Sequence, residues 1–350
     1  MITSLPVCPA TVEDGEGAPR FGTYRGGLDS ASLASLTGRS QLGRIGRLRS
    51  HKKWHYTFFA TREVAAFFAV VDVNYTSNAF VMAVDLAQKK VLVDESYLGP
   101  PRPLTLVSDH PNVGLEVSFR RPGVSFSAER SAGDPRYHLR ARVGAPVPLM
   151  RADFGLDAAM LTNGAPPPLT VIAPVEGGIV NVTQKWAGLL TFGQLETGGR
   201  RFVLDGGVGG LDFTSGYLAR ETAWRWAFAC GRLRDGTALG INLVEGFNES
   251  RDDVSENAVW LGDALYPVGR ARFTWNKNDL LDRWRVTTTD GALDLQFAPI
   301  AVHREHRDLK LVVSRFAQPL GLWEGTVKVN GVTHQIHDVP GVTEDQYVRW

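Results

Sequence analysis

Nowhere does the chain hold a 3.6-residue apolar period long enough for a large helix. Its apolar residues come instead in short alternating runs such as "KWHYTFFA", "VAAFFAVVDV", "AFVMAVDL" and "KVLVDES". Glycine (37) and proline (19) cut these runs throughout the sequence. Short alternating segments bounded by turn residues predict an all-β protein with few short helices. "AVDLAQKKVLV" reads as a hairpin turning near Ala87–Lys89, and Asn330–Gly331 in "KVNGVTHQI" as a two-residue hairpin turn. "LDSASLASL" (28–36) reads as one short helix capped by Asp29 or Ser30.

Two proline clusters, "GAPVPL" (144–149) and "GAPPPL" (164–169), interrupt the strand series. They divide the chain into an irregular arm (1–27), a first β domain (28–165) and a second (166–350). One internal echo supports a duplication. Trp54-His-Tyr56-Thr-Phe58 matches Trp224-Arg-Trp226-Ala-Phe228, each a W-x-aromatic-x-F strand near the front of a half.

With 350 residues, 43% hydrophobic and 21% charged, the chain has enough apolar material for a real core. A net charge of +1 gives no general attraction to nucleic acid or an anionic membrane. Arg39, Arg44, Arg47, Arg49, Lys52 and Lys53 form a basic stretch that is either a phosphate contact or, as expected, a solvated face. Cys8 and Cys230 give no disulfide framework. The first residues lack a secretory pattern, and no apolar run is long enough to span a bilayer. A cytoplasmic protein is expected, and the sequons at Asn181 and Asn248 then carry no meaning. "HREH" (303–306) and "HQIH" (334–337) would point their histidines to opposite faces of a strand, so no metal is expected there. "GGVGG" (206–210) opens no helix and is not a dinucleotide site. No cofactor is expected.

The candidate site centres on "TAWRWAFACGRLRDGTALGINLVEGFNES" (222–250). A two-residue turn at Asp235–Gly236 would pair Cys230 with Ile241, Phe228 with Leu243, Trp226 with Glu245 and Trp224 with Phe247. Glu245 would then sit in an aromatic wall, where desolvation favours the neutral, proton-donating form of a carboxyl. The bland alternative is a carboxylate at a strand end satisfied by an arginine or water. Upstream, Asp212, Thr214, Tyr217, Arg220 and Glu221 form a dense polar set that is either a site at a strand mouth or an ordinary polar turn. Glu245, Asp212, Glu221 and Tyr217 are the candidate catalytic residues. Trp54, His55, Tyr56, Arg220, Trp224, Trp226, Asn242, Phe247 and Asn248 are the candidate substrate contacts.

The stretch 204–250, then "ENAVWLGDALYPV" and the ending "FAQPLGLWEGTVKVNGVTHQIHDVPGVTEDQYVRW", resemble the family known as domain of unknown function 2804. The chain is more distantly similar to lipocalin-like tandem β proteins: carotenoid 1,2-hydratase, the AttH-like proteins and tocopherol cyclase. Where those carry E-W-W-Y, this chain has Lys53-Trp54-His55-Tyr56. Where they carry D-H-E-W-G it has "YLARETAWRW", without the histidine and with Glu221 as counterpart of the acid. The resemblance implies two lipocalin-like β domains side by side and an apolar site for an isoprenoid- or lipid-like molecule. Acid-catalysed hydration, cyclisation or isomerisation of such a molecule would follow. A carbohydrate-active enzyme using Asp212 and Glu245 is an alternative, and so is a lipid carrier without chemistry.

Overall fold

The computed structural model describes residues 5–101, 103–144, 153–308, 310 and 312–350. One sheet holds β1 (Gly22–Arg25), β2 (His51–Ala60), β3 (Val64–Asp72), β4 (Ser77–Asp85), β5 (Lys90–Gly99), β6 (Thr105–Val107) and β7 (Leu115–Arg121). It continues through β8 (Val124–Arg130), β9 (Arg136–Val143), β10 (Phe154–Leu161), β11 (Leu169–Pro174), β12 (Val180–Thr197), β13 (Arg200–Val203) and β14 (Gly207–Tyr217). The other holds β15 (Glu221–Arg232), β16 (Ala238–Glu245), β17 (Ala258–Leu261), β18 (Ala264–Pro267) and β19 (Ala271–Thr274). β20 (Trp284–Thr288), β21 (Leu293–Asp308), β22 (Val313–Val329) and β23 (Val332–Arg349) complete it.

The two sheets share one order. Along the first, neighbours run β5-β4-β3-β2-β14-β12-β10-β9-β8-β7-β6, and along the second β18-β17-β16-β15-β23-β22-β21-β20-β19. In each, four successive strands step outward (β2 to β5, β15 to β18), the chain jumps to the far edge (β6, β19), and the last strand returns to pair with the first of the four. The molecule is thus two β domains side by side. Their boundary differs from the expected one: β11 to β14 complete the first sheet, and the chain passes to the second at Leu218–Arg220. The cluster 164–169 is no linker. The carbonyls of Pro166 and Pro167 accept the indole N–H groups of Trp186 and Trp260, at 2.6 and 2.9 Å. Beyond Gly144, the cluster 144–149 lies outside the described residues.

Three apolar cores result: one inside each curled sheet and a third between them. β3 shows why "VAAFFAVV" is continuously apolar. Val64, Ala66, Phe68 and Val70 face the first domain's interior, and Ala65, Phe67 and Ala69 face the second sheet. Gly210 lets the sheets close. A Cβ there would lie 2.5 Å from the Trp186 carbonyl oxygen and 2.6 Å from the Phe228 ring.

Residues 28–36 are not helical. The hydroxyls of Ser30 and Ser32 accept the backbone N–H groups of Ser32 and Ala34, a local bonding pattern that competes with a helix. Leu28, Leu33 and Leu36 are instead buried in the first core. The short α-helix, α1, is Arg44–Ser50. The N-terminal arm contributes β1, which pairs with β11. Among the described residues no helix is long and apolar enough to cross a membrane.

Candidate functional site

The two copies of the W-x-aromatic-x-F strand meet face to face. Trp54 stacks on Trp224 (centroids 6.0 Å, planes 14° apart). Tyr56 and Phe58 meet Trp226 and Phe228 edge-on, at 5.1 and 6.2 Å. Such pairs contribute about 0.5–1.5 kcal/mol each beyond their burial. Beside them lies a cavity of about 180 Å³, walled by Trp54 and Tyr56 of β2, Ala69 and Val71 of β3 and Phe80 of β4. Trp224, Trp226, Val244, Phe247 and Phe316 supply the opposite wall, and Glu344, Gln346, Val348 and Trp350 come from alternate positions at the end of the chain. Tyr75 and Leu98, both exposed, edge its outer end.

Asp212, Glu256, Glu305 and Glu344 are the acids that line this space, and two of them, Asp212 and Glu344, come from the last strand of their domain. Asp212 of β14 pairs with Tyr56, and Glu344 of β23 with Trp226. The Trp54 indole donates to Asp212 at 3.3 Å and the Trp224 indole to Glu344 at 2.7 Å. Their other partners differ. The Lys185 ammonium of β12 lies 2.7 Å from Asp212 and 3.1 Å from Glu256. Burial opposes the charge on Lys185, but the two carboxylates hold its pKa above the ordinary lysine value. Glu256 is pushed up by burial, against the pull of Lys185. Among the described residues no cation pairs directly with Glu344. The Gln318 amide of β22 donates to its other oxygen at 2.7 Å. Burial pushes Glu344 up to about 8, with the Asp212 charge adding to the rise and Trp224, Lys185 and Gln318 opposing it. Burial therefore favours the uncharged form of Glu344 at neutral pH. Both its oxygens already receive N–H donors, so its own hydrogen is left for another acceptor. Among the described residues the buried Tyr56 hydroxyl has no hydrogen-bond partner.

The expected hairpin register is off by one. The Leu233 N–H bonds the Thr237 carbonyl at 2.9 Å, leaving three loop residues, with Gly236 at φ 89°. A three-residue loop ending in a left-handed glycine replaces the two-residue turn. A one-residue slip moves a side chain to the other face. Glu245 thus pairs with Arg225, and Trp226 with Val244. Glu245 accepts the Phe273 N–H at 3.3 Å, lies 3.5 Å from Arg272 and does not line the cavity. The aromatic wall expected around it surrounds Glu344 instead.

Of the other expected residues, Trp54, Tyr56, Asp212, Trp224, Trp226 and Phe247 do come together around the cavity. Asn242 and Asn248 stand behind it: Asn242 accepts the Trp226 indole at 2.8 Å, and Asn248 donates to Glu256 at 2.9 Å. Both sequon asparagines are buried and bond one another at 3.1 Å. His55 faces away from Trp54 and Tyr56, beside Thr57, and burial lowers it to about 3. Tyr217 packs into the first domain's core, its hydroxyl donating to the Leu33 carbonyl at 3.2 Å. Glu221 accepts the Tyr347 hydroxyl at 3.3 Å, and neither it nor Arg220 lines the cavity.

Lys185, Glu256, Gln318 and Glu344 are the residues that reading the sequence missed. A signal for Glu344 existed in "TEDQYVRW": it shares strand parity with Val348 and Trp350, whose apolar side chains face inward.

Solved structures share this architecture. An AttH-type protein (NE1406) from Nitrosomonas europaea is 16% identical, with a TM-score of 0.50 over 85% of this chain and 92% of that one. CghA, solved with Sch210972, is 11% identical, with a TM-score of 0.50 over 98% and 97%. Kievitone hydratase from Nectria haematococca is 12% identical, with a TM-score of 0.48 over 91% and 96%. The fold is that of the lipocalin-like tandem β proteins. No curated protein matches the sequence. The resemblance read from the sequence extends over residues 7–350, and the chain belongs to the family described as Domain of unknown function (DUF2804).

Proposed function

We propose that the protein binds an elongated, largely apolar small molecule, isoprenoid- or lipid-like, between its two sheets and protonates a carbon–carbon double bond in it. Glu344 is the acid. Its proton passes to one alkene carbon, and the cation formed at the other takes up water, loses a neighbouring proton, or is captured by a second double bond of the same molecule before losing a proton; in each case the proton released returns to the Glu344 carboxylate. The outcome is hydration, cyclisation or isomerisation. The indole faces of Trp54, Trp224 and Trp226 stabilise the developing positive charge. The N–H groups of Trp224 and Gln318 stabilise the carboxylate left behind.

The observation that carries this reading is the buried Glu344 carboxyl, bonded by an indole and an amide and set against an aromatic cavity, where burial favours its protonated form. Asp212 is the weaker candidate, because Lys185, Trp54 and Thr183 already occupy its oxygens. The carbohydrate reading needed Asp212 and Glu245 in one cleft, and Glu245 is on the other face of its strand.

Mass spectrometry of small molecules co-purifying with the protein supplies the ligand. With that ligand, Glu344→Gln is expected to keep binding and lower turnover about 10²-fold or more. Wild-type turnover in Glu344→Gln would sink the assignment. A ligand that even the wild type returns unchanged would make the protein a carrier.

A further inference from the structure

We infer that the surface around α1 docks on an anionic membrane, placing the mouth of the cavity against the bilayer from which an apolar ligand would enter. Between Asp29 and Ala60 the chain has no acidic residue and carries Arg39, Arg44, Arg47 and Arg49, followed by Lys52 and Lys53, whose side chains are buried. Lys53 is matched by Asp109 at 2.5 Å. Arg44, Arg47 and Arg49 on α1 are exposed. Ile45 and Leu48, three residues apart and so on one side of the helix, are 68% and 49% exposed.

This helix adjoins the mouth. Asn74, in the turn between β3 and β4, donates to the backbone carbonyls of Arg47 and His51, at 3.3 and 3.0 Å. The next residue, Tyr75, lines the cavity and is 38% exposed, as does Leu98 at 46%. The Lys52 ammonium sits 4.5 Å from the Tyr75 ring and 5.4 Å from that of Trp350, tying the rim to the end of the chain. Exposed aliphatic and aromatic side chains ringed by arginines fit a lipid surface, where the apolar groups enter the acyl boundary and the arginines meet anionic headgroups. A nucleic acid would use the arginines and leave Ile45 and Leu48 without a role. The local charge is invisible in a net charge of +1.

The transfer part of this inference rests on the proposed ligand class, whereas docking is measured without any ligand. The whole protein is sedimented with vesicles of phosphatidylcholine alone or mixed with phosphatidylglycerol. It is expected to bind only the anionic vesicles, less at high salt. Arg44→Glu/Arg49→Glu and Ile45→Ser/Leu48→Ser, with circular dichroism checking the fold, are each expected to weaken binding at least about tenfold. Glu344→Gln is expected to bind as the wild type, so failed chemistry and failed docking are separable. No binding to anionic vesicles, or equal binding to both kinds, overturns the inference. So does stronger binding to poly-uridine than to vesicles, unaffected by Ile45→Ser/Leu48→Ser.

Discussion

Asp212 and Glu344 occupy the same place in the two halves of the molecule. Each lies on the strand that closes its sheet, opposite the middle aromatic of the echoed motif, and accepts the indole N–H of the first one. What separates them is one neighbour. Lys185 ion-pairs with Asp212, and Gln318 offers Glu344 only an amide. A duplicated acid is held by a cation in one domain and kept neutral by burial in the other. Such different surroundings are the physical basis for assigning the two acids different roles.

The proton on Glu344 makes stability depend on pH. Its pKa rises from an ordinary 4.5 to about 8 on folding. Between those values the native state keeps a proton that the unfolded chain has released, so the unfolding free energy falls as pH rises from about 4.5 to about 8, by a few kcal/mol. Glu344→Gln removes that slope and is expected to be more stable than the wild type above pH 8. Urea denaturation across this range checks it. A variant less stable at every pH would make Glu344 a structural anchor.

Lys185 is buried between Asp212 and Glu256. Lys185→Met leaves two carboxylates buried without their cation, and a loss of about 3–5 kcal/mol is expected. Lys185→Met/Asp212→Asn/Glu256→Gln removes the charges together and is expected to regain much of that loss. Chemical denaturation of the two variants decides it: equal stability would mean that the ion pairs are not what Lys185 contributes.

The sequence carried the duplication through five residues, and their rings meet across the two sheets. The Asn330–Gly331 turn was legible because both residues adopt positive φ, which that pair favours. Asp235–Gly236 misled because one added loop residue inverts the faces beyond it. The domain boundary misled because prolines at 164–169 anchor two tryptophans within the fold. Glu344 was hidden because its burial depends on strands far away in sequence, β2 and β15, closing over it.

Glu245 lies on the face of β16 turned away from the cavity, next to Arg225 and Arg272. Glu245→Gln is expected to leave turnover of the co-purifying ligand unchanged and to shift stability by less than about 1 kcal/mol, the scale of a partly exposed pair. Steady-state kinetics and thermal melting test it. A large loss of turnover with the fold intact would return Glu245 to the chemistry.

A second polar cluster joins the sheets beside the cavity. His303 of β21 bonds Asp94 of β5 through Nδ1 and lies 3.4 Å from Glu305 through Nε2, with the Phe80 ring stacked on it at 5.1 Å. Glu305 in turn accepts from the Asn78 amide at 2.9 Å and from Arg307 at 3.0 Å. Burial alone would lower His303, but its bond to Asp94 and the nearby Glu305 carboxylate carry it from 6.5 up to about 9. Its contribution is fully present below pH 6.5 and is lost as pH rises through about 9, up to about 3 kcal/mol. Burial would raise Glu305, but His303, Asn78 and Arg307 bring it down to about 2, so its contribution is present above about 4.5 and lost as pH falls through about 2. The clamp is therefore strongest from about pH 4.5 to 6.5. His303→Gln is expected to abolish the loss of stability between pH 8 and 9, where Glu344 no longer contributes a slope. The same decline in wild type and variant, followed by denaturant titration at each pH, would show that His303 is not its source.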